Sequence, residues 1–320
     1  MSSQNAEQAY PYFDFHAKDE SGISFEHWTD SRSVGMHRHW YYELFLIERG
    51  SCRHMYQGTE TLLIPGDAVI ISPHNAHGFS LSGVSSIYIC QFLPEALSRR
   101  VLELLQNELL SDQSSRSQRL GEGIFWESLI ADREAYYGEA ADGDEAENYA
   151  VNSSKRGVIY LHSREGAFVT SLFESMFEDY TDEAPFFVLK KQKYAEVILL
   201  ELYQALRRQN RILLGYTGEK GAAIADVIRY MEEHLTETLD FEMLAVESGF
   251  STNHFRKLFR DATGLSPVKY LNRLRITKAC EYMQKEQRSA REAAELVGFI
   301  DMNYFSRMFK QVMGVPPSRL

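Results

Sequence analysis

Between about residues 20 and 95 the chain alternates short apolar runs with turn signals, the pattern of strands on a half-buried surface. Glu43–Ile47, Thr61–Ile64, Ala68–Ser72 and Ser86–Phe92 are divided by Arg49-Gly50, Gln57-Gly58 and Pro65-Gly66-Asp67. Many short strands at this spacing predict a small barrel or sandwich. The period then becomes helical over Pro94–Leu110 and Glu165–Tyr180. It is strongest over Phe187–Arg208, where Ala195, Leu199, Leu202 and Leu206 share one face. Ser111–Arg119 and Gly138–Asn148 are polar and read as loops, and Gly215–Gly221 reads as a linker. Beyond it everything reads as helix, beginning with Ile224, Val227, Ile228 and Met231 at i, i+3, i+4 and i+7. The pattern predicts an α+β chain of two domains. Residues 1–214 hold a β-barrel at about 20–95 with flanking helices at about 94–208; 215–221 link it to an all-α domain over 222–320. A length of 320 residues suits two cores better than one.

The last hundred residues contain a repeat. Phe241, Leu244, Ala245 and Ser248 precede Gly249-Phe250; Ala290, Ala293, Ala294 and Val297 precede Gly298-Phe299. Phe255, Phe259, Gly264 and Pro267 then correspond to Phe305, Phe309, Gly314 and Pro317, one residue having been inserted in the second turn. In each copy a short apolar-faced helix stops at glycine, and Ser251 or Asp301 can cap the next helix. The next helix buries its phenylalanines and shows a polar front. That front is Asn253, Arg256, Lys257 and Arg260 in one copy and Met302, Asn303, Ser306, Arg307 and Lys310 in the other. Arginine reads guanine and asparagine reads adenine in a major groove, so these are the candidate DNA contacts. Ser266-Pro267 opens a spacer helix, Val268–Gln284, and Ser289-Ala290-Arg291-Glu292 is a capping box. The spacer predicts two readers on one DNA face about one helical turn (~34 Å) apart, or closer with bending.

Charge sharpens this picture. The net charge is −11, yet residues 221–320 carry 14 basic against 13 acidic groups and residues 1–220 carry 20 against 32. Within Ser251–Arg291 ten basic residues face three acidic ones, and a phosphate backbone responds to local charge. Three scattered cysteines (Cys52, Cys90, Cys280) form neither a disulfide framework nor a zinc spacing and read as reduced thiols. The start of the chain has no signal-peptide pattern and no apolar run reaches membrane-spanning length, so a cytoplasmic protein without membrane contact is expected.

Gly298-Phe299-Ile300-Asp301-Met302-Asn303-Tyr304-Phe305-Ser306-Arg307-Met308-Phe309-Lys310, followed by Gly314-Val315-Pro316-Pro317, resembles the signature of the AraC family's tandem helix-turn-helix domain. The likeness covers about Ala223–Leu320. It departs at Ala290 and Ala294, which are small for that helix and predict looser packing of the second unit, and at the stop on Leu320. In the N-terminal part, His37-Arg38-His39, Glu43 and Gly50, then Pro65-Gly66-Asp67 and His77-Gly78, resemble the two motifs of cupins.

Two readings of that site follow. In one, His37, His39, Glu43 and His77 hold a first-row metal through three nitrogens and one oxygen. In the favoured one the same four residues, with Trp40 and Tyr42, bind a small polar effector, a sugar being one candidate, with no metal and no cofactor. The family resemblance implies an effector-responsive regulator, with activation favoured, of a catabolic or transport operon. Its partners are double-stranded promoter DNA, RNA polymerase and a second copy of the chain held through Ala195, Leu199, Leu202 and Leu206. It implies no enzyme; the alternative is a metal-dependent cupin enzyme with an accessory DNA-binding domain.

Overall fold

The structure, a computed structural model, describes residues 10–15, 20–56, 58–104, 158–161, 163–181, 186–213 and 219–320. The expected loops at 111–119 and 138–148 lie outside the described residues, as does most of the linker; Glu219–Gly221 already belong to a helix.

Among the described residues, eight strands form the N-terminal sheet: β1 (Tyr12–Phe13), β2 (Ile23–Trp28), β3 (Ser33–His39), β4 (Tyr42–Tyr56), β5 (Thr59–Leu63), β6 (Asp67–Ile71), β7 (His77–Phe92) and β8 (Val158–Tyr160). Their order is β1-β3-β7-β4-β6-β8, with β2 also on β7 and β5 also on β4. β4 and β7 run antiparallel from Tyr42 opposite Phe92 to Tyr56 opposite His77. Arg49-Gly50, expected to turn, is instead a bulge inside β4, where the register shifts on either side of Arg49. Gly50 takes φ +72°, and a Cβ there would collide with the Ser85 hydroxyl.

Strand alternation sorts side chains into two cores. Phe45 and Ile47 point inward with Val69, Ile71, Phe79, Ile87 and Ile89. Tyr42, Leu44 and Leu46 point outward under α2 (Ser163–Thr181) and α3 (Phe187–Leu213). The single helix expected over Pro94–Leu110 is broken: a 3-10 turn (Pro94–Ala96) is followed by extended Leu97, then α1 (Arg99–Leu104).

The outer core takes in the four residues expected at a dimer seam. Ala195, Leu199 and Leu202 are at most 2% exposed in the single chain, packed with Val169, Phe173 and the outer sheet face, and Leu206 lies against the same cluster. That stripe is covered by the chain's own barrel, and among the described residues the exposed large apolar side chains of α3 are instead Val188 and Leu189 near its start.

The C-terminal part is α4 (Glu219–Glu233), α5 (Phe241–Glu247), α6 (Thr252–Thr263), α7 (Pro267–Lys285), α8 (Ala290–Leu296) and α9 (Met302–Met313). Phe255 and Phe259 pack with Ile224, Val227, Met231 and Leu271 in one core. Phe305 and Phe309 pack with Ile276, Ala279, Ala293 and Ala294 in another. The second core also takes in Leu62 and Ile64 from the barrel, so its small alanines are complemented from outside the unit.

Candidate nucleic-acid interface and buried histidine centre

Each reader is made by capping chemistry. Asp240 opens α5 by accepting from the amides of Glu242 and Met243, and Ser289 and Glu292 form a capping box at α8. Asp301 accepts from Asn303 and Tyr304 to open α9; Ser251 opens α6 without a side-chain bond. Both second helices end on left-handed glycines, Gly264 and Gly314 at φ +73°.

Asn253, Arg256, Lys257 and Arg260 stand exposed on α6, and Asn303, Arg307 and Lys310 on α9. Among the described residues, Arg256 comes no nearer than 3.9 Å to a carboxylate, that of Glu242. Two members of the expected front differ. Ser306 is half-buried, and Met302 packs against the second core, because its apolar side chain gains more from Phe305's neighbours than from water. The inserted residue of the second turn is Ile300, 99% exposed beside the cap of α9.

α7 fixes the readers to each other. Arg275 donates to the carbonyls of Leu235 (2.8 Å) and Glu237 (2.6 Å) beside the first unit and of Gly298 (3.5 Å) in the second. Asn272 donates to the Tyr304 hydroxyl at 2.8 Å. Neither role could be read from the spacer's sequence, where Arg275 looked like one more basic group.

At the other end of the chain, His37 and His39 on β3, Glu43 on β4 and His77 on β7 meet inside the barrel mouth. Their ligand atoms lie within 4.8 Å of one another. Nε2 of His77 is 3.1 Å from Nε2 of His39 and 3.3 Å from Oε2 of Glu43, and His39 Nε2 is 3.9 Å from that oxygen. Nδ1 of His37 reaches the Gly35 carbonyl (2.9 Å) and Nδ1 of His39 the Tyr41 carbonyl (2.7 Å). Gln91 donates to Glu43 Oε1 at 2.8 Å, while Phe13 and Tyr41 stack on His37 and His39.

All four residues are buried, between 0 and 3% exposed. Burial therefore sets their charge states: it pushes Glu43 up to about 7 against the Gln91 bond, holds His39 down to about 4, and lowers His37 and His77. The His77–Glu43 contact has ion-pair distance, yet desolvation disfavours the charged form of both partners.

Two expected members of this site are elsewhere. Tyr42 is adjacent to Glu43 on one strand and so faces the opposite side of the sheet, stacked on Phe92. Trp40 is half-buried and meets Phe15 edge-on, with Tyr41 between it and the histidines. His54 was missed. It is 3% exposed, its ring 5.7 Å from that of His77, and burial holds it down to about 4. The bulge hides it: inward positions are 43, 45 and 47 before Gly50 but 52 and 54 after, so the alternation changes phase. A cavity of about 460 Å³ exists, but it lies where the barrel meets α7 and α9 and none of the four residues lines it.

Comparison with known proteins agrees at both ends. A model of the AraC-like ligand binding domain matches residues 18–125 and one of a helix-turn-helix domain matches 244–320, together more than half of the chain. The transcriptional activator RhaS of Salmonella arizonae is 22% identical over 308 residues, 95% of this chain and 93% of that protein. The MmsAB operon regulatory protein of Pseudomonas aeruginosa is 37% identical over 89 residues, 28% of this chain and 29% of that protein. ToxT of Vibrio cholerae, a solved structure, is 12% identical over 93% of this chain and 96% of that one, with a TM-score of 0.34. With a ligand-binding domain of the AraC type before a helix-turn-helix repeat whose readers are capped, exposed and tied by one spacer, the chain belongs to the AraC family of transcription regulators.

Proposed function

We propose that the chain is a transcription activator of the cytoplasm, acting without catalysis, that grips promoter DNA with α6 and α9 in successive major grooves. RNA polymerase is its second macromolecular partner, and the N-terminal barrel carries the signal. The observation that carries this reading is the pair of exposed fronts, Asn253/Arg256/Lys257/Arg260 and Asn303/Arg307/Lys310, held at a fixed mutual angle by Arg275 and Asn272. Long cationic and amide side chains on a rigid helix suit base edges, while the surrounding Lys and Arg neutralise phosphates. Activation follows the names of the RhaS relatives and the family, and sensing and DNA-binding parts are divided at 215–221. A sugar in the barrel draws little support: Tyr42 faces away from the histidines, and the buried four present almost no surface to a metabolite. The enzyme reading draws less, since a catalytic metal needs an open position.

Binding of the full chain to DNA from its own upstream region, followed by fluorescence anisotropy, tests the proposal. Affinity should fall steeply and log-linearly with salt. Arg256→Ala and Arg307→Ala should each cost about 1–3 kcal/mol at separate base positions if the contacts are bidentate. A flat salt dependence would sink the reading; uniform weakening on every sequence would reduce both arginines to phosphate contacts.

A further inference from the structure

We propose that His37, His39, Glu43 and His77 bind one divalent first-row metal ion per chain in a closed site. The proposal rests on the reading of the barrel as the sensing part of a regulator and names what that part holds.

Orientation is the first argument. A carbonyl only accepts, so the Nδ1 atoms that reach Gly35 and Tyr41 must carry the protons of His37 and His39. The lone pairs of these two neutral rings are then on Nε2, and Nε2 of His39 is the atom that approaches His77 and Glu43. Backbone carbonyls behind ligating histidines are the usual outer support of a metal site, and Gln91 performs the same service for Glu43 by holding Oε1 at 2.8 Å.

Spacing is the second. Ligand atoms about 2.1 Å from one ion stand about 3.0–3.4 Å apart in octahedral or tetrahedral arrangements. The His39–His77 and His77–Glu43 separations, 3.1 and 3.3 Å, fall in that range, while the 3.9 Å between His39 and Glu43 and the 4.8 Å limit of the whole set require the side chains to close in on the ion.

The third argument is what the cluster lacks. Among the described residues, Glu43 Oε2 and His77 Nδ1 are buried without a hydrogen-bond partner. If His77 carries its proton on Nδ1, a protonated Glu43 can donate to its Nε2, but the lone pair of His39, 3.1 Å from that nitrogen, is left bare; if it carries it on Nε2, that proton can serve His39 and the Nδ1 lone pair is left bare. Either arrangement leaves a buried acceptor unsatisfied, which is costly. A cation between the four atoms satisfies the three imidazoles and the carboxylate together.

Closure sets the class of ligand. Phe13 of β1 stacks on His37 at 4.2 Å, and no member of the set is more than 3% exposed. An ion fits such a place, and a metabolite does not. Three imidazoles and a carboxylate suit Fe, Co, Ni, Cu or Zn, whereas Mg and Ca prefer oxygen.

The test uses the full-length protein, stripped with chelator and dialysed, then titrated with Co²⁺ and separately with Zn²⁺. The expected result is one ion per chain by elemental analysis, visible Co²⁺ bands without thiolate charge transfer, and a raised melting temperature. His39→Ala and Glu43→Gln should abolish stoichiometric binding, and Gln91→Leu should weaken it about 10–100-fold through the outer support alone. Circular dichroism of each metal-free variant separates lost ligation from lost fold. Substoichiometric metal in the wild type, or Co²⁺ bands that persist in His39→Ala, overturns the site. DNA anisotropy on the same samples keeps the two readings apart: absent metal with salt-sensitive DNA binding removes only the ion site, and bound metal without DNA binding removes only the regulator.

Discussion

His39 and His54 are neutral bases inside an apolar barrel, and that fixes the acid stability of the metal-free chain. Burial holds both down to about 4, against an ordinary value of 6.5. Between those limits the unfolded chain takes up protons that the folded chain refuses, so stability is complete above about 6.5 and is lost as pH falls toward 4. Each such histidine contributes about 3 kcal/mol to that loss. Glu43 acts in the opposite sense. Pushed up to about 7 by burial, it keeps its proton where the unfolded carboxyl has ionised, so it costs stability as pH rises from 4.5 through 7. Urea midpoints of metal-free wild type and Glu43→Gln should therefore diverge in favour of the variant between pH 5 and pH 8. Equal midpoints at both pH values would show that Glu43 is ionised in the folded barrel and partnered by a protonated histidine.

At the scale of the element, the two halves of the repeat are alike in sequence and unlike in surroundings. Gly249 and Gly298 end equivalent helices at φ +77° and +82°. Around Gly249 a Cβ would meet open space; at Gly298 it would collide with the Thr236 carbonyl. Gly249→Ala should cost about 1–2 kcal/mol, the ordinary penalty of a left-handed residue. Gly298→Ala must also displace the Thr236 backbone beside the carbonyls that receive Arg275. Thermal melts should show the second substitution to be the more damaging, and DNA binding should fall with it because the angle between α6 and α9 is disturbed. Equal costs would mean that the turn at 236 yields freely. α3 teaches the same lesson in another form. Its three–four apolar stripe is legible in the sequence, but a stripe states only that one face is buried, not against what.

For the whole molecule the decisive contact is the docking of α7 on the barrel. Arg273 donates to the Pro65 carbonyl (2.8 Å) and the Asp67 carboxylate (2.7 Å) and lies over the ring of Tyr160. Gln284, three turns along the same face, donates to the Ser51 and Ser82 hydroxyls, and Lys285 meets Glu60 at 2.6 Å. With Leu62 and Ile64 built into the second reader's core, sensing barrel and reader share one interface. Asp67 is 1% exposed, so removing its cation leaves a buried carboxylate partly uncompensated. Arg273→Met should cost about 3–5 kcal/mol and split a single calorimetric transition into barrel and helical steps. A single transition at the wild-type temperature would show that the interface contributes nothing to cooperativity.

Period and spacing determined a good deal of this protein. Alternation over 43–47 and 86–92, the repeat with its caps and glycines, and the His-x-His-x3-Glu spacing are local in the chain, and local sterics and hydrogen bonding turn them into strands, readers and a histidine cluster. Tertiary structure alone decided what lies at a distance. The bulge at Gly50 changed the phase of β4 and brought His54 inward; α3 spent its apolar face on its own barrel; Met302 turned to the core; Arg273 and Arg275 became struts. None of these can be read from spacing, because burial and partnership depend on which surfaces meet, and those surfaces come from segments as far as 208 residues apart.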